Sequence, residues 1–147
     1  MIEIDTSISE QMSNHALKSY PEECCGFLFG NEDKEGNRVI SEILIVDNIK
    51  NENRKRRFEI SPLDYMKAEE KADELNLSLL SIYHTHPNQP AQPSEHDRIQ
   101  AVPYFSYIIM SITENKVVNT TSWQLNEQEK FEEEQLVLRQ EILKHTI

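Results

Sequence analysis

The spacing of apolar residues along the chain has two different periods, and each period predicts a different kind of element. Residues 7–19 carry apolar side chains at helical spacing, and a Tyr-Pro pair ends the predicted helix. A second helix is predicted over residues 61–75, where a serine suited to N-capping is followed by proline at the first helical position. A short third helix is predicted from Ser94 through Ala101.

Short apolar or alternating segments, bounded by turn residues, predict the strands. They are residues 24–29, 39–46, 58–60, 77–83, 106–112 and 117–125. The polar turn at 31–37 makes the first two an antiparallel hairpin, 106–112 suits a central strand, and 117–125 suits an edge or partly exposed strand. Residues 136–138 fit a last strand, although the same residues also fit a helix.

The order of these elements predicts an α/β fold, with a mixed β-sheet flanked by helices. The length of 147 residues fits one domain, covering residues 1–147, with a core of its own. We expect Trp123 to pack in that core, His15 to lie on a helix surface and His145 to lie in a frayed tail.

Charge and cysteine content narrow the class of protein. The net charge of −11 and the pI near 4.9 disfavour nucleic acid and anionic membrane as partners, because both would repel the chain. The first residues lack the features of a signal peptide and no apolar run has membrane length, so we expect a cytoplasmic protein. Cys24 and Cys25 are adjacent, which predicts no disulfide scaffold and a buried, apolar role for Cys25.

The strongest chemical signal is His84-Thr85-His86-Pro87, followed by Ser94 and Asp97. Residues two apart on a strand share a face, so His84 and His86 can aim two imidazoles at one ion. Asp97 falls in the first turn of the Ser94 helix, where it could face them. Two histidines and one carboxylate with an open fourth position are typical of catalytic zinc. A chance His-x-His pair is the alternative, and the added proline, serine and aspartate make it improbable.

These residues resemble the signature of the JAMM, or MPN-plus, metalloprotease family, which is His-[Ser/Thr]-His-Pro, a spacer and Ser-x-x-Asp. Residues 21–30 (Pro-Glu-Glu-Cys-Cys-Gly-Phe-Leu-Phe-Gly) are similar to the Pro-x-Glu-x-Cys-Gly-x-Leu-x-Gly opening of that family. The resemblance extends through Asn48, residues 58–64 and residues 107–112. It implies the JAMM/MPN fold, which is similar to that of the cytidine deaminases.

The resemblance also implies a site and a reaction. One zinc ion per chain would be held by His84, His86 and Asp97, and zinc-activated water would hydrolyse an amide bond. Glu23, and not its neighbour Glu22, falls on the catalytic glutamate of the family, and Ser94 would donate a hydrogen bond to the tetrahedral oxyanion.

The implied substrate is a ubiquitin-like or sulfur-carrier protein, cut after a C-terminal Gly-Gly to release an amino acid or a lysine-linked protein. The chain lacks room for the long insertions with which eukaryotic members grip ubiquitin chains. Two rival functions are a peptidase of small peptides, such as cell-wall fragments, and a non-catalytic MPN scaffold. A deaminase would need His-x-Glu and Cys-x-x-Cys, and both are absent from the sequence.

One basic cluster, Arg54-Lys55-Arg56-Arg57, stands out in the acidic chain. It fits a solvated loop, or else a contact for an acidic protein partner or for a free carboxylate near the site. His96, beside Asp97, is expected at the helix surface and outside the ligand set.

Overall fold

A computed structural model describes residues 1–139 of the chain. The helices are α1 (Thr6–Ser19), α2 (Pro62–Leu75) and α3 (Glu95–Gln100). The strands are β1 (Ile2–Asp5), β2 (Cys25–Glu32), β3 (Arg38–Val46), β4 (Ser78–Pro87), β5 (Ser106–Ile112), β6 (Val117–Leu125), β7 (Phe131–Glu134) and β8 (Leu136–Arg139).

All eight strands form one mixed sheet in the order β7-β6-β5-β4-β2-β3-β1-β8. The pair β4·β5 is parallel, whereas β2 pairs antiparallel with both β3 and β4. Only Gln135 separates β7 from β8, so a single stretch of chain pairs first with β6 and then with β1. The sheet therefore curls until its two outer strands become continuous, which covers edges that would otherwise be open.

Helices pack on both faces of the sheet and create two cores. Ile8, Met12 and Ala16 of α1 are buried in one core, with large side chains from β1, β4 and β5. Ala68 and Ala72 of α2 are buried in the other. Because successive residues of a strand face opposite sides, the central strands contribute to both cores.

The predicted helices, the β2–β3 hairpin and the central β5 are confirmed. Residues 136–138 form a strand and not a helix, because they pair in parallel with β1. The strand predicted at 58–60 is wrong: the backbone N–H of Glu59 bonds to the side chain of Asn48 and not to a neighbouring strand. The predictions did not include β1 and β7, which have four residues each and too few alternations for a pattern.

Three expectations about single residues have different outcomes. Trp123 is only partly buried and lies outside both cores, so its predicted core position is wrong. His15 is half-buried and not simply on the surface, since its Nδ1 lies 2.7 Å from the hydroxyl of the fully buried Tyr83. His145 lies outside the described residues, and the prediction of one domain over 1–147 stays a prediction.

The side chain of Arg38 ties four separate segments together inside the protein. It is 3% exposed, and its Nε donates to Glu32 at 2.8 Å. Its two Nη atoms donate to the backbone oxygens of Leu80 and Tyr104 at 2.9 and 2.8 Å, and to Ser106 Oγ at 3.1 Å. The buried guanidinium stabilises the fold because all these acceptors are bonded to it. Removing it would leave several buried acceptors without a donor.

We expect Arg38→Met to lower the free energy of unfolding by about 3 kcal/mol, the usual scale for breaking a buried, hydrogen-bonded charge. Urea unfolding followed by circular dichroism measures this loss. Arg98→Met is the matched control, because Arg98 pairs with Glu95 on the exposed surface of α3 and its loss should leave the midpoint nearly unchanged. Equal midpoints for the two variants would contradict the assigned role of Arg38.

Candidate metal centre

His84 and His86 lie side by side at the end of β4, as alternate residues of a strand should. Both side chains are buried, and their Nε2 atoms are 3.1 Å apart. Pro87 is the last residue of the strand, and Asn88 turns the chain in a left-handed conformation with φ of 58°. The chain then folds back over the two histidines.

Side chains of β5 and β6 hold the loop between β4 and α3 against the sheet. Ser111 Oγ donates to the carbonyl of Gln89, and Thr121 Oγ1 donates to the carbonyl of Ala91 at 2.7 Å. These bonds fix the start of α3 beside the end of β4, although α3 itself buries no residue.

Asp97 reaches the histidines from the first turn of α3. Ser94 Oγ accepts the backbone N–H of Asp97 at 3.0 Å, and Asp97 Oδ2 accepts the backbone N–H of Ser94 at 2.9 Å, which is a capping box. The same Oδ2 lies 3.3 Å from His84 Nε2 and 3.1 Å from His86 Nε2. Three possible ligand atoms thus converge on one point.

Burial and hydrogen bonding tune the charges of this cluster. Burial lowers the pKa of His84, which favours the neutral imidazole. Burial also disfavours the imidazolium of His86, but the contacts with Asp97 and with the carbonyl of Pro90 raise its pKa overall. Although burial opposes ionisation of Asp97, the two histidines and the Ser94 N–H hold its pKa well below the usual range. The cluster therefore favours a positive charge at its centre.

A zinc ion fits this arrangement. The Nδ1 atom of His86 lies 3.0 Å from the carbonyl oxygen of Pro90, which can only accept, so Nδ1 carries a proton and Nε2 is the atom left to bind a metal. Ligands about 2.0–2.1 Å from a tetrahedral zinc ion are roughly 3.3 Å from one another. The observed separations of 3.1 to 3.3 Å match that value. The donor set of two imidazoles and one carboxylate is also that of open, catalytic sites.

Glu23 lies beside the cluster because its neighbour is bonded to the end of β4. The backbone N–H of Cys24 donates to Thr85 Oγ1 at 2.9 Å, and the N–H of Thr85 donates to the carbonyl of Cys24 at 3.2 Å. Glu23 is 3% exposed, and its buried Oε1 has no hydrogen-bond partner within residues 1–139. Burial raises its pKa to about 8, against opposing effects of His86 and Arg57. Glu22, by contrast, is exposed.

Asn48 joins Glu23 to the segment between β3 and α2. Its Nδ2 donates to the carbonyls of Glu23 and Arg57, each at 3.0 Å. Its Oδ1 accepts the backbone N–H groups of Lys50 and Glu59, also at 3.0 Å. One amide therefore uses four hydrogen bonds to fold this segment and to fasten it beside Glu23. The sequence resemblance includes Asn48, but only the structure reveals these partners.

A narrow cavity of about 170 Å³ opens on one side of the ligand cluster, between α2 and α3. The ring of Phe58 forms one wall and stacks on His84, with ring centroids 4.5 Å apart and an interplanar angle of 26°. Tyr65 of α2 and Tyr107 of β5 contribute further aromatic walls. This side of the site is therefore enclosed and largely apolar.

A wider groove of about 620 Å³ has Glu23 in its lining, but none of the three candidate metal ligands. Its walls are mostly polar and include Lys18 and Glu22, together with Asp47 and Arg54. Glu23 thus lies between the ligand cluster and a broad polar groove.

The structure brings together every residue that the sequence marked for the site. His84, His86 and Asp97 form one cluster, Glu23 lies next to it, and Ser94 contacts Asp97 directly. His96 is outside the cluster and lies 2.5 Å from Arg57. Cys25 is buried, as predicted, and Cys24 is buried as well. The sequence analysis missed the wall formed by Phe58, since aromatic stacking on a distant strand leaves no local pattern.

Comparison with known families identifies the class of protein. Residues 5–126 match the Prok-JAB model, described as prokaryotic homologs of the JAB domain. The chain belongs to this family, in agreement with the resemblance seen in the sequence.

Two relatives with assigned names cover most of the chain. A desampylase of Pyrococcus furiosus is 32% identical over 116 residues, which are 79% of this chain and 76% of the relative. A Thermus thermophilus protein named "Probable TtuB-protein conjugate cleaving protease" is 30% identical over 104 residues, which are 69% of this chain and 66% of that protein.

Solved structures agree on the fold. A protein from Desulfitobacterium hafniense superposes with a TM-score of 0.83 and 28% identity, covering 99% of this chain and 97% of the other. A JAB1/MPN domain protein from Archaeoglobus fulgidus superposes with a TM-score of 0.59 and 18% identity, covering 94% and 97%, and shows the fold alone. The chain thus has the JAB/MPN fold, as predicted. None of the helices in residues 1–139 is long and apolar enough to span a membrane.

Proposed function

We propose that the chain is a zinc-dependent hydrolase that cuts the peptide or isopeptide bond after the C-terminal Gly-Gly of a ubiquitin-like or sulfur-carrier protein. The observation that carries this proposal is the convergence of His84, His86 and Asp97 beside the buried Glu23. A scaffold without catalysis would have no need of a complete ligand set next to a buried carboxyl group.

In this proposal His84 Nε2, His86 Nε2 and Asp97 Oδ2 hold one zinc ion. When bound, the ion supplies Lewis acidity that activates water and polarises the scissile carbonyl. The Pro90 carbonyl keeps the imidazole of His86 oriented, and the ring of Phe58 fixes the plane of His84. Ser94 and Asp97 hold each other through the capping box, so the carboxylate keeps its orientation.

Glu23 is the proposed general base and acid. A carboxyl group with a pKa near the working pH can accept a proton from water and return it to the leaving amine. Burial raises the pKa of Glu23 towards this range, and the positive charge of a bound ion would lower that pKa. The bonds from Asn48 to the Glu23 carbonyl and from the Cys24 N–H to Thr85 restrain the peptide group that follows Glu23. The N–H of Glu23 donates to the carbonyl of Arg54 at 2.7 Å and restrains the preceding side.

Ser94 can combine two roles through different atoms. Its Oγ uses a lone pair to accept the N–H of Asp97 at 3.0 Å, which leaves the hydroxyl proton free to donate. We infer that this proton is donated to the developing oxyanion, where one donor is typically worth about 10²–10³ in rate.

The shape of the site supports a Gly-Gly tail as the acyl side of the substrate. A cavity of about 170 Å³ beside His84, walled by Phe58 and Tyr65, can take a short extended segment, and glycine adds no side chain to that segment. Leu63 and Met66 are exposed on α2, the helix whose Tyr65 lines this cavity, and offer apolar contact to a folded carrier. The Thermus thermophilus relative is named as a protease that cleaves a protein conjugate, and this suits a carrier substrate. The broad groove beside Glu23 would then receive the leaving group.

The first expected outcome is one zinc ion per chain after reconstitution, measured by elemental analysis. His86→Ala should weaken zinc binding by more than the roughly 10–100-fold that loss of an outer partner costs. His96→Ala is the control, because this histidine lies outside the cluster and should keep the metal. Unchanged zinc content in His86→Ala would refute the site.

The second outcome separates the base from the ligands and from its neighbour. Glu23→Gln should retain zinc and lose about 10²–10⁴ in kcat, because only proton transfer is removed. Glu22→Gln makes the same change at an exposed position and should keep its turnover. Zinc content and single-turnover rates of both variants test this assignment, which fails if Glu23→Gln hydrolyses substrate as fast as the unaltered protein.

The third outcome concerns the substrate. Mass spectrometry of ubiquitin-fold carrier conjugates incubated with zinc-loaded protein should detect cleavage after Gly-Gly. Replacing the two glycines by leucines should lower kcat/KM, because the added side chains must share the cavity of about 170 Å³ with the main chain of the tail. Cleavage of unrelated short peptides in place of the conjugates would instead identify a peptidase of small peptides.

A further inference from the structure

Arg57 is held at the mouth of the candidate site from its backbone. Nδ2 of Asn48 donates at 3.0 Å both to the carbonyl of Arg57 and to the carbonyl of Glu23. The two main-chain segments are therefore bonded to the same nitrogen atom. This shared donor fixes the position of Arg57 relative to Glu23.

The side chain of Arg57 extends from there towards α3. It is half-buried, and its Nη1 donates to Nδ1 of His96 at 2.5 Å. His96 directly precedes the candidate ligand Asp97, so the guanidinium spans from the segment beside Glu23 to the helix that carries Asp97. The charge is close enough to Glu23 to lower its pKa, which agrees with this placement.

No carboxylate within residues 1–139 forms a salt bridge with Arg57. By contrast, Arg38 pairs with Glu32 and Arg98 pairs with Glu95. The half-buried guanidinium of Arg57 is therefore not neutralised by an acidic side chain of the described residues. Its one described side-chain contact uses a single N–H of the five that a guanidinium offers. The remaining donors match a carboxylate, which arginine binds in a fork geometry.

The position of the leaving group decides where such a carboxylate would come from. Glu23 returns a proton to the leaving amine, so this amine must lie next to Glu23. In a free amino acid the carboxylate is only two bonds from the amine nitrogen. In a protein joined through the side chain of lysine, no main-chain carboxylate is near that nitrogen. A cation fixed beside Glu23 therefore suits a single amino acid as the leaving group.

We propose that Arg57 is a subsite for the free carboxylate of a C-terminal amino acid, which the protein removes from a carrier ending in Gly-Gly-amino acid. In this step the oxygen of water bonds to the carbonyl carbon of the last glycine and the C–N bond breaks. One proton of the water passes through Glu23 to the leaving nitrogen. The products are the carrier with a free Gly-Gly carboxylate and the free amino acid. The inference rests on the proposed carrier hydrolase function and adds its leaving group.

The test compares substrates that differ only beyond Gly-Gly. One ubiquitin-fold carrier is prepared with a C-terminal Gly-Gly-Ala acid, with the corresponding Gly-Gly-Ala amide, and joined to the lysine side chain of a short peptide. The zinc-loaded protein should cleave the acid about 10–100-fold faster in kcat/KM than the amide, the usual worth of a hydrogen bond to a charged group. This comparison needs no altered protein.

Arg57→Gln should then lower the ratio of kcat/KM for the acid to kcat/KM for the amide to about 1. The ratio is the readout, because removing the charge near Glu23 can change the turnover of both substrates alike. Arg56→Gln is the matched control, because it removes the same charge from the neighbouring, exposed residue and should retain the preference for the acid. Zinc content and unfolding midpoints establish that both variants are folded. Calorimetry of the tripeptide Gly-Gly-Ala, as acid and as amide, with the Glu23→Gln protein should give the same preference in binding alone.

Other outcomes overturn the inference in distinguishable ways. Equal cleavage of acid and amide, or an equal loss for both in Arg57→Gln, refutes the subsite but leaves the carrier hydrolase function standing. An acidic side chain in a leaving protein would offer the same chemistry, so lysine-linked peptides with Glu or Gln beside the lysine are compared as well. An Arg57-dependent preference confined to the Glu peptide would refute a single amino acid as leaving group. Cleavage of no carrier at all refutes both proposals.

Discussion

The register between β2 and β4 is the constraint on which the candidate site depends. Cys25 lies opposite His84 in this antiparallel pair, so the residues before β2 run alongside the end of β4 and bring Glu23 to His86. A slip of one residue would turn every side chain to the other face and separate the carboxyl group from the histidines. Gly26 protects the register, because a Cβ at this position would come within 2.5 Å of the ring of Tyr83. The bonds between Thr85 and Cys24 fix it from the other end.

Electrostatics explains why so many polar groups can be buried at this one place. Asp97 is stabilised as an anion by two histidines and by the N–H of Ser94, whereas Glu23, without a hydrogen-bond partner for Oε1 in the described chain, has a raised pKa. Two carboxyl groups in one site are thus driven in opposite directions by their surroundings. This difference in pKa keeps Asp97 ionised, so that it can bind a cation, and lets Glu23 exchange protons near neutral pH.

The sequence predicted the central part of the fold and the set of candidate residues because both depend on short-range patterns. The spacing of His84, His86 and Asp97 follows from strand geometry and from the first turn of a helix, and the family resemblance selected Glu23 from among many glutamates. Contacts between residues far apart in the sequence were harder to predict. The strand predicted at 58–60 did not form, because Asn48 takes the N–H of Glu59. The curling of the sheet depends on the pairing of β1 with β8, two short strands at opposite ends of the described chain.

The narrow cavity and the broad groove differ in a way that would give the proposed hydrolysis a direction. The cavity beside Phe58 is narrow and apolar and can exclude water from an extended glycine tail, which strengthens every electrostatic interaction with the polarised carbonyl. The groove beside Glu23 is broad and polar and can solvate an amine as it leaves. Asn48 and Arg57 belong to one segment that contacts both places. This segment stacks Phe58 on His84, and its Asn48 donates hydrogen bonds to the carbonyls of Glu23 and Arg57. In the proposed reaction, the position of the acyl half of the substrate and proton transfer to the leaving half would depend on this one folded segment. A contact made by either half could therefore influence the other.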